Sequence, residues 1–434
     1  MGKATRRFFH ARLLLLGGLL GLAPMPAPAA KLDAEEFAVP LQVTAAPSLP
    51  RRNPGRVRAV RDAMTGETAL HAKTAQDAIA AAVGQRAAGC WLIRFGGAGF
   101  GWVATGTAEH ATATPSSAAQ RTSFATRFKA FVDARTRLTG CLRALSPEAR
   151  RRVTGNLEQN DALRLALINL AANDQERHEQ ALGILARGFV AYTVEDDPAG
   201  HAIRVHLVTT PKTATRLTRP TASTMEATSL REGLRQTQAE VESGLIPPVG
   251  NRIIVVNATG ELALVGYAVH PIAASPEPMA QDPARAVAEQ IAIGHATKAL
   301  MGLAAGDDAG WQSRLDEAGL EQIRAAASGY NDAEPSARRF AQIHDLILSA
   351  VKDDSGLHAL REGRLPSAAA MVKRFGGADA VAVMVSYAPP IRKREMAPPA
   401  RPAAPPDTPL PEPPAPHAVA PTPPPAEPAA VEAR

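Results

Sequence analysis

The clearest alternation of apolar and polar positions lies between residues 228 and 270. Leu230, Leu234, Val241 and Leu245 recur at helical spacing. Gly244 stands where a helix end favours a left-handed residue, and Pro247-Pro248 closes the segment. The run Arg252–Val256, the turn-forming Asn257-Ala-Thr-Gly260 and the run Leu262–Val269 then read as a β-hairpin. The same order of elements occurs earlier in the chain: helix Ala75–Val83, Gly84, strand Cys90–Phe95, turn Gly96–Gly99 and strand Phe100–Thr107.

An offset of 160 residues aligns 68–110 with 228–270 without a gap. Nine positions coincide, among them Thr68/Thr228, Ile93/Ile253, Gly106/Gly266, Ala108/Ala268 and His110/His270. At an offset of 158 a longer helix follows each hairpin, through Phe128, Phe131, Val132, Leu138, Leu142 and Leu145 in one copy and Val287, Ile291, Leu300 and Leu303 in the other. Ala130/Ala288 and Ala134/Ala292 coincide there, and small residues at that spacing let a helix approach a sheet closely. About two further helices are expected in each copy, in Pro147–Leu185 and Gln312–Leu360. Each copy closes on two strands. These are Phe189–Val194 and Ala202–Thr209 around the acidic turn Glu195–Gly200, then Ala370–Phe375 and Ala380–Tyr387 around Gly376-Gly377.

The fold class expected is α+β: two related units, each of antiparallel strands packed against helices with a helical insertion, plus a disordered proline-rich tail. The boundaries are a signal peptide at 1–30, an N-terminal extended segment at 31–67, a first repeat at 68–210, a linker at 211–227, a second repeat at 228–390 and the tail at 391–434. Length agrees, since 434 residues exceed what one core of about 250–300 residues sustains. Of 37 prolines, 17 fall in the last 46 positions, a composition that samples polyproline II and acts as a spacer.

Charge changes the picture only at the N-terminus. The formal charge is +6, but Lys3, Arg6, Arg7 and Arg12 supply +4 of it with no acid beside them, which leaves a body of +2. With 18 aromatics in the whole chain, that body lacks the basic groove and stacking platforms of a nucleic-acid binder. The basic segment is followed by the apolar stretch Leu13–Leu22 and by Ala27-Pro28-Ala29, which has the form of a signal-peptidase site. The apolar stretch is too short for a mature transmembrane anchor, and no Cys follows it to carry a lipid. Thr5-Arg6-Arg7-Phe8-Phe9 also resembles the twin-arginine export motif, so either export route fits. A periplasmic or secreted product is expected.

Candidate chemistry is sparse. Gly97-Ala-Gly99-Phe-Gly101 follows a strand but leads into another strand, so it reads as a hairpin turn and not a dinucleotide loop. Glu195-Asp196-Asp197 with His201 could hold a divalent cation, although Asp and Gly between strands also suit a solvated turn. His178, His295, His344 and His358 show no metal-ligand spacing, and His110 and His270 recur at matching strand ends. Ser349-Ala-Val-Lys352 fits SxxK without its companion motifs, and Arg150-Arg151-Arg152 reads as a solvated helix face. Trp91, Trp102 and Tyr267 are expected in the core. No catalytic, cofactor-binding or metal residue is assigned. Cys90 and Cys141 either pair as a disulfide or stand as buried thiols. The sequence alignment sets Gly250 and Ala299 opposite them, so the fold is expected to survive without a bridge.

The strand Leu262-Ala-Leu-Val-Gly266-Tyr-Ala268, then Ala284-Arg285-Ala-Val-Ala288-Glu-Gln-Ile-Ala292 running into Ala296 and Leu300, resembles the opening of envelope domains typified by small membrane-associated lipoproteins and flagellar assembly protein T. In those families a G-x-A strand precedes an alanine-rich helix and a hairpin. The first copy shares the pattern through Gly106-Thr-Ala108 and the Phe128–Leu145 helix. The chain departs from it by its long helical inserts and the missing lipid-carrying Cys. The resemblance implies a non-catalytic assembly module of the bacterial envelope, with other envelope proteins as partners and no cofactor. The rival expectation is a periplasmic hydrolase or ligand-binding protein that uses a cleft between the repeats.

Overall fold

The computed structural model describes residues 42–45, 57–306 and 354–390, apart from short gaps at 97, 110–115, 171–172, 198–200, 222, 257, 274–280, 367–369 and 377–378. The proposed signal peptide, the proline-rich tail, His110, His344, the Ser349–Lys352 motif and most of the second helical insert lie outside these residues.

The first unit runs β1 (Gln42–Ala45), β2 (Arg58–Arg61), β3 (Thr68–Ala72), α1 (Ala75–Val83), β4 (Gly89–Phe95), β5 (Gly99–Glu109), α2 (Ser116–Arg143), α3 (Pro147–Leu157), α4 (Asp161–Leu170), α5 (Asp174–Arg187), β6 (Phe189–Asp197) and β7 (Ala202–Thr209). After the single turn α6 (Pro211–Arg216), the second unit runs β8 (Leu217–Thr221), β9 (Thr224–Ala227), α7 (Leu230–Glu242), β10 (Val249–Val256), β11 (Glu261–Pro271), α8 (Gln281–Ala304), α9 (Ser355–Arg361), β12 (Ala370–Phe375) and β13 (Ala380–Tyr387).

The two sheets share one topology. Their strand orders are β1-β6-β7-β5-β4-β3-β2 and β12-β13-β11-β10-β9-β8, which superimpose element for element apart from β1. The chain is therefore α+β with two related units. Each unit opens with a hairpin that the sequence pattern did not reveal. The segment 211–227 is accordingly not a linker: it carries α6 and the first two strands of the second sheet. The segment 31–67 likewise contributes β1 and β2 to the first sheet. Nor is every strand pair antiparallel. β3 and β4 pair in parallel across α1, as do β9 and β10 across α7, because an intervening helix returns the chain to the same end of the sheet.

Local chemistry explains the helix limits. Ser229, Thr74, Ser146 and Asp354 each accept a hydrogen bond from the backbone N–H three residues on, which satisfies a donor that the first turn leaves open. At the end of α7, Gly244 has φ +69°, and the amides of Gly244 and Leu245 return to Val241 O and Glu240 O at 3.2 and 2.9 Å, the pairing of a Schellman cap.

The layers stack as α1, first sheet, α2 to α5 with α7, second sheet, and α8 with α9. One continuous cluster fills the middle, from Trp102 and Leu207 of the first sheet through Phe128 and Phe131 of α2 to Val265, Tyr267 and Met384 of the second. Separate clusters lie under α1 (Ile79, Ile93, Val103) and under α8 (Leu264, Val383, Leu300).

Residue equivalence differs from the sequence alignment. Gly106 faces Val205 on β7 and Gly266 faces Val385 on β13, so these glycines correspond. Both lie under a helix backbone. A Cβ on Gly106 would sit 2.1 and 2.2 Å from Ala134 N and Ala130 O, and one on Gly266 would sit 2.0 Å from Ala296 O. Ala130 thus matches Ala296 and not Ala288. Cys90 pairs with Ala104 and Ile253 with Leu264, so Cys90 matches Ile253 and not Gly250. Ile93 lies under α1 whereas Ile253 lies under α8, on opposite faces of their sheets, as an odd shift of register requires.

Cys90 and Cys141 form a disulfide that ties β4 to α2, with Cα atoms 6.2 Å apart and a sequence separation of 51. A Cys90→Ala/Cys141→Ala variant is expected to keep its far-ultraviolet dichroism, because the second unit holds the same layers with Ile253 at the corresponding strand position. It is expected to lose about 4 kcal/mol in urea unfolding from the released loop; an unfolded variant would refute the equivalence. Gly106→Ala and Gly266→Ala are each expected to cost about 1–3 kcal/mol or more by the same measurement, since backbone blocks the added methyl.

Candidate functional site

Two buried polar constellations stand out. The first joins the units. Arg219 on β8, Glu240 on α7 and Arg252 on β10 have side chains 4%, 1% and 0% exposed. Glu240 Oε2 accepts from Arg252 Nη1 at 2.6 Å, and Oε1 accepts from Arg219 Nε at 3.2 Å and Gln236 Nε2 at 3.1 Å. Arg219 Nη1 also donates to Phe189 O at 2.6 Å, and its guanidinium stacks 4.2 Å from the centre of the Phe189 ring, so a second-unit cation is seated on the start of β6. Burial alone would raise the Glu240 carboxyl, but the charges of Arg219 and Arg252 hold it down at about 2.

The second constellation crosses β5, β7 and β6 on the face that carries α1. Thr105 Oγ1 lies 2.8 Å from His206 Nδ1, and His206 Nε2 lies 3.6 Å from Glu195 Oε1, just beyond hydrogen-bond length. The Glu195 carboxyl is lowered although burial opposes it, through His206 and the charges of Arg204 and Arg86. Arg204 donates to Arg86 O at 3.2 Å and pairs with Asp197 at 3.2 Å. Arg86 itself has φ +52°.

A hydroxyl, an imidazole and a carboxylate in a row have the membership of a hydrolytic triad. Their placement is different. Thr105 and His206 are both fully buried in mid-sheet, and Glu195 is 4% exposed. Both imidazole nitrogens already face protein groups, so neither is turned toward a position from which it would take a substrate proton.

The acidic triplet is separated by the strand. β6 runs on through Glu195, Asp196 and Asp197, so the expected turn begins later. Alternation sends Glu195 to His206, while Asp196 lies 3.7 Å from Arg127 and Asp197 meets Arg204. Among the described residues no group of three His, Cys, Asp or Glu is placed to hold a metal ion. His201 sits at the start of β7 with φ +49°, and His358 pairs with Glu362 one turn on, at 3.2 Å. His270 ends β11 beside a shallow concavity of about 260 Å3 lined by Pro271, Ala273, Pro283, Ala284 and Val287. Trp102 and Tyr267 are in the shared core, and Trp91 packs under α1. Arg150 donates to Leu145 O at 2.9 Å and Arg152 pairs with Glu148, which leaves Arg151 exposed on the α3 surface.

Sequence reasoning passed over the Arg219–Glu240–Arg252 set. Its signal was available, as Arg252 stands with Asn251 in a strand whose other residues are apolar or glycine, and Glu240 adjoins Val241 on the buried side of α7.

Among the described residues no helix is long and apolar enough to cross a membrane. The sequence matches no family model and no curated protein. A solved structure of a hypothetical protein from Francisella tularensis is similar at 14% identity, covering 67% of this chain and 83% of that one, with a TM-score of 0.21.

The Arg219–Glu240–Arg252 set gives stability a signed dependence on pH. The Glu240 carboxyl sits at about 2 against an ordinary 4.5, so its contribution is complete above pH 4.5 and is lost as pH falls toward 2. That gap corresponds to about 3 kcal/mol. Glu240→Gln is expected to cost about 3–5 kcal/mol at pH 7 by leaving two buried guanidinium groups uncompensated. The triple replacement Arg219→Met, Glu240→Leu, Arg252→Met is expected to stay within about 2 kcal/mol of the parent and to unfold with a shallower dependence on pH between 4.5 and 2. Urea titrations at pH 7, 4 and 3 check both, and an unchanged acid dependence in the triple variant would refute the assignment.

Proposed function

We propose that the chain is an exported, non-catalytic protein of the bacterial envelope, acting as a structural or assembly module with a proline-rich C-terminal tether. The observation that carries this reading is the continuous core that joins the two units. The ground where a cleft between the repeats would lie is occupied by Phe128, Phe131, Tyr267 and Met384. A shallow concavity among the described residues lies instead at the far edge of the second unit, beside α8. The buried Arg219, Glu240 and Arg252 are spent on one another and on the Phe189 ring, as ion pairs and a cation–π contact.

Export is supported by two independent features. The N-terminal order of basic residues, Leu13–Leu22 and Ala27-Pro28-Ala29 suits a cleaved leader. The disulfide between Cys90 and Cys141 suits an oxidising compartment. The envelope-domain resemblance around Gly266 and the alanine-rich α8 agrees with an assembly role.

Expression with the native N-terminus in a Gram-negative host tests the reading. The expected product is a periplasmic chain that has lost its leader, lighter than its reduced form by two hydrogens, which captures envelope proteins and loses that capture without residues 391–434. A full-length cytoplasmic product with two free thiols would overturn export. Turnover of an ester or peptide substrate that survives purification would overturn the non-catalytic role.

A further inference from the structure

The strand orders of the two units correspond one for one except at one edge. In the first sheet the outer side of β6 is covered by β1, which pairs in parallel from Gln42↔Thr193 to Ala45↔Asp196. In the second sheet β12 occupies the β6 position, and among the described residues it has no neighbour on its outer side. The reason is topological. β1 comes from the chain upstream of β2, whereas the chain upstream of β8 is β7, already committed on both sides to β5 and β6. Among the described residues, no segment preceding the second unit is left to supply the missing strand.

The other sheet ends are not equivalent openings. β2 presents Arg58 and Arg61 from a fully exposed strand, and β8 contains Pro220 and a break in register between Thr218 and Thr221. Charge, proline and irregularity are the usual means of blunting an edge. β12, Ala370-Met-Val-Lys-Arg-Phe375, is a regular six-residue partner of β13 without proline.

We infer that the outer edge of β12 is a docking site for an extended, proline-free segment of a partner protein, added in parallel as β1 is added to β6. Backbone hydrogen bonds supply the affinity in such strand addition, and side chains at alternate positions select the sequence. The inference concerns the partner's shape and direction and holds whether or not the protein is exported.

The chain's own residues 41–46, a proline-free stretch that includes the strand that fits the equivalent edge, make a suitable probe peptide. Photo-reactive groups are placed at either end of the peptide, and it is titrated against the full chain. The expected result is saturable binding with cross-links to residues 370–375, the N-terminal label near Ala370 and the C-terminal label near Phe375. Met371→Pro and Val372→Pro remove amides that point to opposite sides of β12. One of the two is expected to retain the parent melting temperature and to weaken binding at least tenfold.

Absence of saturation up to about 1 mM, cross-links confined to residues 189–197, or a reversed label order would each overturn the inference. Concentration-dependent dimerisation of the full chain, abolished by the proline variant that retains the parent melting temperature, would assign the edge to a second copy and overturn the heterologous partner.

Discussion

A carboxylate held between two guanidinium groups, with almost no water in reach, is the constraint around which the second unit is organised. Glu240 fixes α7 to β8 through Arg219 and to β10 through Arg252, and so holds the strands on both sides of β9. The same Arg219 reaches Phe189, the first residue of β6. Arg135 of α2 also lies 5.9 Å from the Phe189 ring centre, and that ring lies 5.9 Å from the ring of Phe131. An apolar trio of the same volume would pack at comparable stability. What it would lack is direction: guanidinium forks accept only a few arrangements of carboxylate, carbonyl and ring. The charged set therefore fixes how the second unit is seated on the first, while the surrounding core supplies most of the driving force.

The order of elements was legible from the sequence because it depends on coarse signals. Helical spacing over Leu230 to Leu245, glycines at turns and alternating apolar runs survive divergence. Residue equivalence was not legible, since hairpins of unequal length shift the register without changing the pattern. The β4–β5 turn closes Phe95 on Gly99, whereas the β10–β11 turn closes Val256 on Glu261. An odd shift results, and Ile93 and Ile253 coincide in sequence while facing opposite sides. The helices slip further: Ala130 and Ala296 occupy the same place over their glycines, eight residues from the pairing that identity suggested. β8 and β9 were read as a linker because Leu217-Thr-Arg-Pro-Thr221 looks polar, and its Arg219 is buried only by virtue of a glutamate 21 residues away. The Thr105–Glu195–His206 row escaped notice for a similar reason, since three strands distant in sequence must assemble before the residues meet.

The stacking of the units raises a question that the residue equivalences answer. The α2 side of the first unit lies on the α7 side of the second, which is a head-to-tail contact, and contacts of that kind propagate into open arrays unless something stops them. Val265, Tyr267 and Met384 line the receiving face of the second sheet. The corresponding positions of the first sheet are Thr105, Thr107 and Arg204, and Ser386 is replaced by His206. On the donating helix the aromatic pair Phe128 and Phe131 of α2 corresponds to Gly294 and Thr297 of α8, and Gly294 is exposed with open space around it. One backbone plan thus carries two sets of side chains. At these equivalent positions bulky apolar residues stand where unit meets unit, and polar or small residues stand at the two ends. Repeat arrays use such ends to remain soluble. Where polar or small residues replace the interface residues, stacking of another unit at those positions is disfavoured, and among the described residues the sheet edges are where this fold offers unpaired backbone.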